Sequence, residues 1–247
     1  GFSYGFRPGR GQHDAMDALA FGIQAQRVNW ILDADIKGFF DSLSQEWLIK
    51  FLEHRIGDRR MIRLIQKWLR AGVLDEGEWS VSATGTIQGA VISPLLANVF
   101  LHYVFDLWAD RWRRAEARGK VIIVRYADDI VLGFEHEADA RQFWDAMRAR
   151  LEHFGLELHG VKTRLIEFGR YADERRRRRG LGRPETFKFL GFVFICGRAR
   201  RGCFQLQRKS RGDRMRAKLH EIKATLRKHL HAPLPEQGKW LRAVLNG

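Results

Sequence analysis

One stretch constrains the rest of the chain: Val121 to Phe134, which reads VIIVRYADDIVLGF. Two short apolar runs, Val121–Val124 and Ile130–Phe134, flank Tyr126-Ala127-Asp128-Asp129. Their β-branched content predicts strands, and the gap between them is of hairpin size. Two adjacent carboxylates therefore stand at the tip of a hairpin with apolar arms. Adjacent like charges repel, and a nearby cation is the usual remedy. An Asp-rich turn bonded to its own backbone is the competing reading of these residues alone. A metal site requires a further carboxylate elsewhere in the chain.

That carboxylate has a candidate. Val28–Ile36 is extended and apolar around Trp30, Ile31 and Leu32, and it leads into Asp33-Ala34-Asp35-Ile36-Lys37-Gly38-Phe39-Phe40-Asp41. Strand alternation places Asp33, Asp35 and Lys37 on one face and Ile36 on the other. Carboxylates at a strand end are costly to bury without a partner. Asp33 and Asp41 read as strand-end and cap residues, which leaves Asp35 as the candidate ligand.

The chain has 247 residues, 45% of them hydrophobic, enough for a sizeable core. Its 44 Lys+Arg outweigh 29 Asp+Glu, a formal net charge of +15. Such a balance points to a folded partner of a polyanion. Nucleic acid is favoured over membrane, because no apolar run approaches the ~20 residues of a spanning helix. Two cysteines, Cys196 and Cys203, make neither a disulfide framework nor a zinc site. A reducing, cytoplasmic setting is the expectation, and oligomeric state is not legible. The opening on Gly1 and the close within an apolar helical stretch suggest a piece of a longer chain.

The remaining segments read as an alternation of helices and strands. Helical patterns cover His13–Arg27, a segment from Ser44, another from Asp58, and a long one from Ser93-Pro94 to about Arg118. Glu137–Phe154 follows the hairpin, with Phe143, Trp144, Met147 and Leu151 expected in the core. Arg164–Phe168 and Phe187–Ile195 read as strands, Tyr171–Pro184 as a polar linker holding Arg175–Arg179, and Met215–Leu230 as a basic helix. The expected class is α+β: one antiparallel sheet with helices on one face. If Asp35 and Asp128-Asp129 lie on neighbouring strands, the site is all oxygen. Mg²⁺ prefers such ligands and takes one or two carboxylates plus phosphate oxygens. Paired ions there would serve in-line phosphoryl displacement. These arguments reach metal-dependent phosphoryl or nucleotidyl transfer on nucleic acid and leave polymerase and nuclease equally open.

Six ordered blocks resemble the reverse transcriptases, most closely the reverse transcriptase/maturases of bacterial group II introns. They are SYGFRPGR at Ser3–Arg10, DADIKGFFD at Asp33–Asp41, GTIQGAVISPLLAN at Gly85–Asn98, YADD at Tyr126–Asp129, LHGVKTRLIEFGR at Leu158–Arg170 and FKFLGF at Phe187–Phe192. Ile87 and Ala90 depart from residues frequent in the family, with Gln88-Gly89 intact. The resemblance implies a right-hand polymerase palm with partial fingers over 1–206 and the start of a helical thumb over 207–247. It implies that Asp35 and Asp128 hold two Mg²⁺ ions, or Mn²⁺ in their place, with the Ile36 carbonyl assisting and Asp129 completing the cluster. Phe40 would exclude a 2′-OH. Gln88 and Gly89 would line the template and nucleotide pocket, and Lys162 would approach the triphosphate. Phe187, Phe189, Leu190 and Gly191 would grip the primer. Arg7, Arg10, Arg175, Arg176 and Arg177 are the candidates for RNA phosphate contact.

Three functions remain: RNA-directed DNA polymerase acting on an RNA template, a DNA or RNA primer and dNTPs; RNA-binding maturase for group II intron RNA; and a related enzyme used in host defence.

Overall fold

The computed structural model describes residues 1–70, 73–75, 78–80 and 92–246. In chain order the elements are α1 (Gln12–Ala25), β1 (Trp30–Ala34), α2 (Phe39–Ser42), α3 (Gln45–Glu53), α4 (Arg59–Arg70), β2 (Val73–Asp75), β3 (Glu78–Ser80) and α5 (Ser93–Leu101). A π-helical turn, His102–Asp106, joins α5 to α6 (Leu107–Ala115). Then come β4 (Val121–Tyr126), β5 (Asp129–Phe134), α7 (Glu137–His153), β6 (Arg164–Glu167) and α8 (Ala172–Arg178). The chain closes with β7 (Phe187–Phe189), β8 (Phe192–Arg198), β9 (Phe204–Ser210), α9 (Gly212–Lys228) and α10 (Leu234–Asn246).

The expected α+β class holds. The central sheet is antiparallel in the order β4-β5-β1-β6. Its inner strands are buried on both faces, and their pleat sorts side chains into two cores. Leu32, Ala34, Ile123, Ile130, Leu132 and Phe134 face α3 to α7. Ile31, Ile122, Val124, Val131 and Ile166 face a second core with α1 and the β7-β8-β9 sheet. Helices α3 to α7 thus share one face, and α1 with the second sheet covers the other.

Four local readings are corrected. Phe187–Ile195 is not one strand: β7 and β8 form a hairpin through Leu190-Gly191, at φ 48° and 82°. Two successive left-handed residues make the tight turn that matches strand twist. Tyr171–Pro184 is not all linker, because Ala172–Arg178 is helical. Its i,i+4 pairs Arg177–Asp173 and Arg178–Glu174 support the turns. The β1 strand stops at Ala34, and Ile36 makes only an isolated bridge to Leu158. Trp144 is half-buried rather than core. Other readings hold: the Ser44 Oγ accepts from Trp47 N at 3.4 Å and caps α3. Among the described residues no helix is long and apolar enough to cross a membrane.

The turn from β6 into α8 is fixed by Gly169, at φ 106° with a would-be Cβ 2.1 Å from the Val28 carbonyl oxygen. Gly169→Ala is expected to destabilise the fold by about 2–4 kcal/mol through strain and clash. Chemical denaturation checks this. A loss below half a kcal/mol would mean that the junction adjusts freely.

Candidate active site

The β4–β5 hairpin closes through Ala127 and Asp128, with Tyr126 paired to Asp129. Ala127 has φ 54°, an uncommon conformation for a residue with a Cβ. The surroundings hold it there. Gly5 lies directly on the turn: a Cβ at Gly5 would meet Ala127 N at 2.4 Å. Arg125 Nη1 donates to the Ala127 carbonyl at 2.7 Å. The same guanidinium donates to both Asp106 carboxylate oxygens at 2.7 Å, to Asn98 Oδ1 at 2.9 Å and to Ser3 Oγ at 2.8 Å. Arg125 is completely buried. The Ser3–Arg10 block thus ties into the site through the backbone bonds Tyr4 N to Arg125 O and Arg125 N to Phe2 O. Asn98 Nδ2 donates to the Gly5 carbonyl.

The sheet pleat sends Asp33 and Asp129 to the face shared with β7-β8-β9, since they alternate with Ile31 and Val131. Asp33 stands opposite Val131 on β5 and Arg164 on β6. Burial raises its carboxyl pKa to about 6; Arg164 opposes this, while the charges of Asp129 and Asp35 add to it. Asp128 is also raised, first by burial, against a bond to its own backbone, with Asp35 adding and Arg125 subtracting. Asp35, Asp128 and Asp129 therefore form one electrostatic cluster, and Asp33 belongs to it. The alternation that paired Asp33 with Asp35 was the signal for that fourth member. Lys162 Nζ lies 3.3 Å from Asp35 Oδ2, so its cation sits on the cluster.

A cleft of about 440 Å³ opens beside the turn, lined by Phe40, Asp128, Asp129, Phe189, Leu190 and Gly191 among others. The structure so brings together residues from four of the sequence blocks, with Phe6 of the first also in the lining. Phe187 is buried in the second core and packs on Phe194, below the cleft rather than in it. Gln88 and Gly89 lie outside the described residues.

The candidate RNA contacts divide. Arg10 Nη1 is spent on the carbonyls of Gly1 and Ser3 and stacks over Tyr4, fixing its own loop. Arg7 is exposed, 3.9 Å from Asp106. Arg175 is turned inward on the buried Glu167 at 2.9 Å, so it is a structural ion pair and not a free phosphate contact. Arg176 donates to the Gly182 carbonyl, and Arg177 is exposed beside Asp173.

The donor chemistry suits a hard divalent cation. All acidic members offer oxygen, and Asp33 and Asp128 are raised first by burial and further by the neighbouring carboxylates. Among the described residues no group of three or more His, Cys, Asp or Glu side chains is arranged to hold a metal ion by itself. Mg²⁺ needs no such group where substrate phosphates complete its shell.

Because folding raises the Asp33 pKa, its ionised form is disfavoured in the native state. Stability contributed by the neutral acid is lost as pH rises from about 4 through about 6. Without divalent ions, Asp33→Asn is expected to stabilise the fold above pH 6 by about 1–2 kcal/mol, after allowing for partial solvent screening. The gain should vanish below pH 4. Urea denaturation in EDTA at both pH values checks the sign; destabilisation at pH 7.5 would contradict it.

The antiparallel sheet thus carries its acidic hairpin turn beside an open cleft. The chain belongs to the family described as reverse transcriptase (RNA-dependent DNA polymerase), whose sequence profile matches residues 1–194. It is 30% identical over 177 residues to the uncharacterized 91 kDa protein in cob intron of Schizosaccharomyces pombe, covering 70% of this chain and 22% of that protein. It is 40% identical over 100 residues to the group II intron-encoded protein LtrA of Lactococcus lactis, covering 40% of this chain and 16% of that protein. These matches agree with the resemblance to group II intron reverse transcriptase/maturases. The fold resembles apo telomerase from Candida tropicalis, with a TM-score of 0.59 at 15% identity over 85% of this chain and 41% of that one. The chain spans under half the length of each of these relatives.

Proposed function

We propose that the chain is the polymerase core of a group II intron reverse transcriptase, with fingers and palm over 1–206 and the start of a thumb over 207–247. It would add dNTPs to a primer 3′-OH on an RNA template. The observation that carries this reading is the placement of Asp128-Asp129 in a cleft walled by Phe40 and the Leu190-Gly191 turn. Asp35 and Asp128 would hold Mg²⁺, with the Ile36 carbonyl assisting and Asp129 completing the acidic set. When bound, the ions would supply Lewis-acid neutralisation of phosphate charge.

The chain's own residues do the rest. Arg125 fixes the turn, so Asp128 is held in place before substrate arrives. Phe40 would pack under the sugar and exclude a 2′-OH. Lys162, already beside Asp35, would meet the triphosphate and favour pyrophosphate departure. The β7–β8 turn, with Phe189, Leu190 and Gly191, would hold the primer end against the cleft. Gln88 and Gly89 would line the template and nucleotide pocket, as the family resemblance implies. The 3′ oxygen attacks the α-phosphorus, a phosphodiester forms, and pyrophosphate leaves.

The test is templated extension by the full-length protein of a primer on RNA with one dNTP at a time. Incorporation that follows the template base supports the proposal; untemplated addition, or RNA cleavage in its place, overturns it. In the same assay Phe40→Ala is expected to raise ribonucleotide use relative to deoxynucleotide by about tenfold or more, since the steric exclusion is gone. An unchanged ratio would remove Phe40 from the sugar pocket.

A second role, assisting intron RNA, is favoured by the +15 charge and by the intron-encoded relatives. Splicing assistance that survives Asp128→Ala and falls steeply with salt would support it.

A further inference from the structure

A second cavity, about 880 Å³, lies away from the acidic cleft, between α8 and the far end of the β8–β9 hairpin. It falls within the size range of ligand sites. Strand β8 connects the two places. The Leu190-Gly191 turn lines the acidic cleft, and Ile195 to Arg198 line this pocket. Gly191 to Gly197 spans about 20 Å of strand.

Five cationic side chains line the pocket against two carboxylates, Asp173 and Glu174. Those two are already engaged. Asp173 takes both Arg177 at 3.1 Å and Arg198 at 2.6 Å. Glu174 is paired with Arg178. Arg170, Arg183 and Lys209 are exposed lining residues that make no ion pair among the described residues. Tyr171 presents a half-exposed ring at the same mouth, and Phe204 lies deeper. The pocket offers no activated nucleophile: burial raises the Cys196 thiol pKa to about 11, keeping it neutral. Dispersed cations around an exposed aromatic face suit a strand whose phosphates and bases are both presented.

We propose that this pocket is an accessory site for single-stranded RNA. The strand's phosphates would meet Arg170, Arg183 and Lys209, and an unstacked base would lie on Tyr171. The proposal rests on the reverse-transcriptase reading only in taking RNA as the polyanion.

The test is fluorescence anisotropy of a labelled eight-nucleotide single-stranded RNA with the full-length protein across a salt series. Arg183→Glu combined with Lys209→Glu is expected to weaken binding at least tenfold and flatten the salt dependence by about one to two ion equivalents. Tyr171→Ala should weaken it about tenfold, with Tyr171→Phe restoring most of the loss. The control is a matched reversal on α4, Arg59→Glu with Arg63→Glu. If both double variants lose the same affinity, the effect is net charge alone and the pocket proposal is overturned. Unchanged affinity in the pocket variants, or a loss seen only with duplex RNA, also overturns it. Primer extension is read in parallel. Its absence in the unmodified protein would count against the polymerase reading and leave the RNA comparison interpretable.

Discussion

Asp128→Ala in the full-length protein is expected to reduce templated incorporation of a dNTP by roughly three decades or more, with RNA affinity little changed. Phosphoryl transfer depends almost entirely on positioning and charge stabilisation, so a carboxylate at the reacting centre carries a large share of the rate. The geometry makes Asp128 the residue to remove. It occupies the tip of the β4–β5 hairpin, lines the cleft, and is raised in pKa by burial and by Asp35. The substitution removes one charge from a repelling cluster, so it should not destabilise the apo fold. Activity within tenfold of the unmodified protein, measured under single-turnover conditions, would sink the assignment.

Arg125→Ala is expected to cost about 3–5 kcal/mol of stability, because it leaves Asp106 buried without its guanidinium. Asp106 has weaker neighbours in His102 at 3.6 Å and Arg7 at 3.9 Å, and neither replaces a bidentate fork at 2.7 Å. That loss is a large part of the total stability of an ordinary domain. Arg125→Lys keeps a charge and loses the fork, so it should fold better and still loosen the turn. Urea denaturation of both variants checks this. If Arg125→Ala lies within 1 kcal/mol of the unmodified protein, the network does not hold the hairpin.

The candidate site was legible where chemistry and pattern coincide. Asp35, Asp128 and Asp129 announced themselves as carboxylates at the ends of apolar runs, and the α+β order followed from the alternation of periods. The Arg125 network was less legible because its members, Ser3, Asn98, Asp106 and Arg125, are scattered in sequence and meet only in the fold. Its one local signal was a charge inside VIIVRY. The arginine run was misread as linker because a charge block hides helical i,i+4 pairs such as Asp173 with Arg177. The β7–β8 turn was missed because Leu190 at positive φ is not a residue that signals a turn. Both of its arms are apolar, so no break in hydrophobicity marked the bend.

The most direct measurement is the rate of single-dNTP incorporation on an RNA template as Mg²⁺ is titrated into the full-length protein. The expected result is incorporation that rises from nothing in EDTA to saturation with added Mg²⁺, follows the template base, and is absent at every concentration in Asp128→Ala. Incorporation undiminished in EDTA, or a normal Mg²⁺ curve in Asp128→Ala, would contradict the claim that this acidic turn is the centre of nucleotidyl transfer.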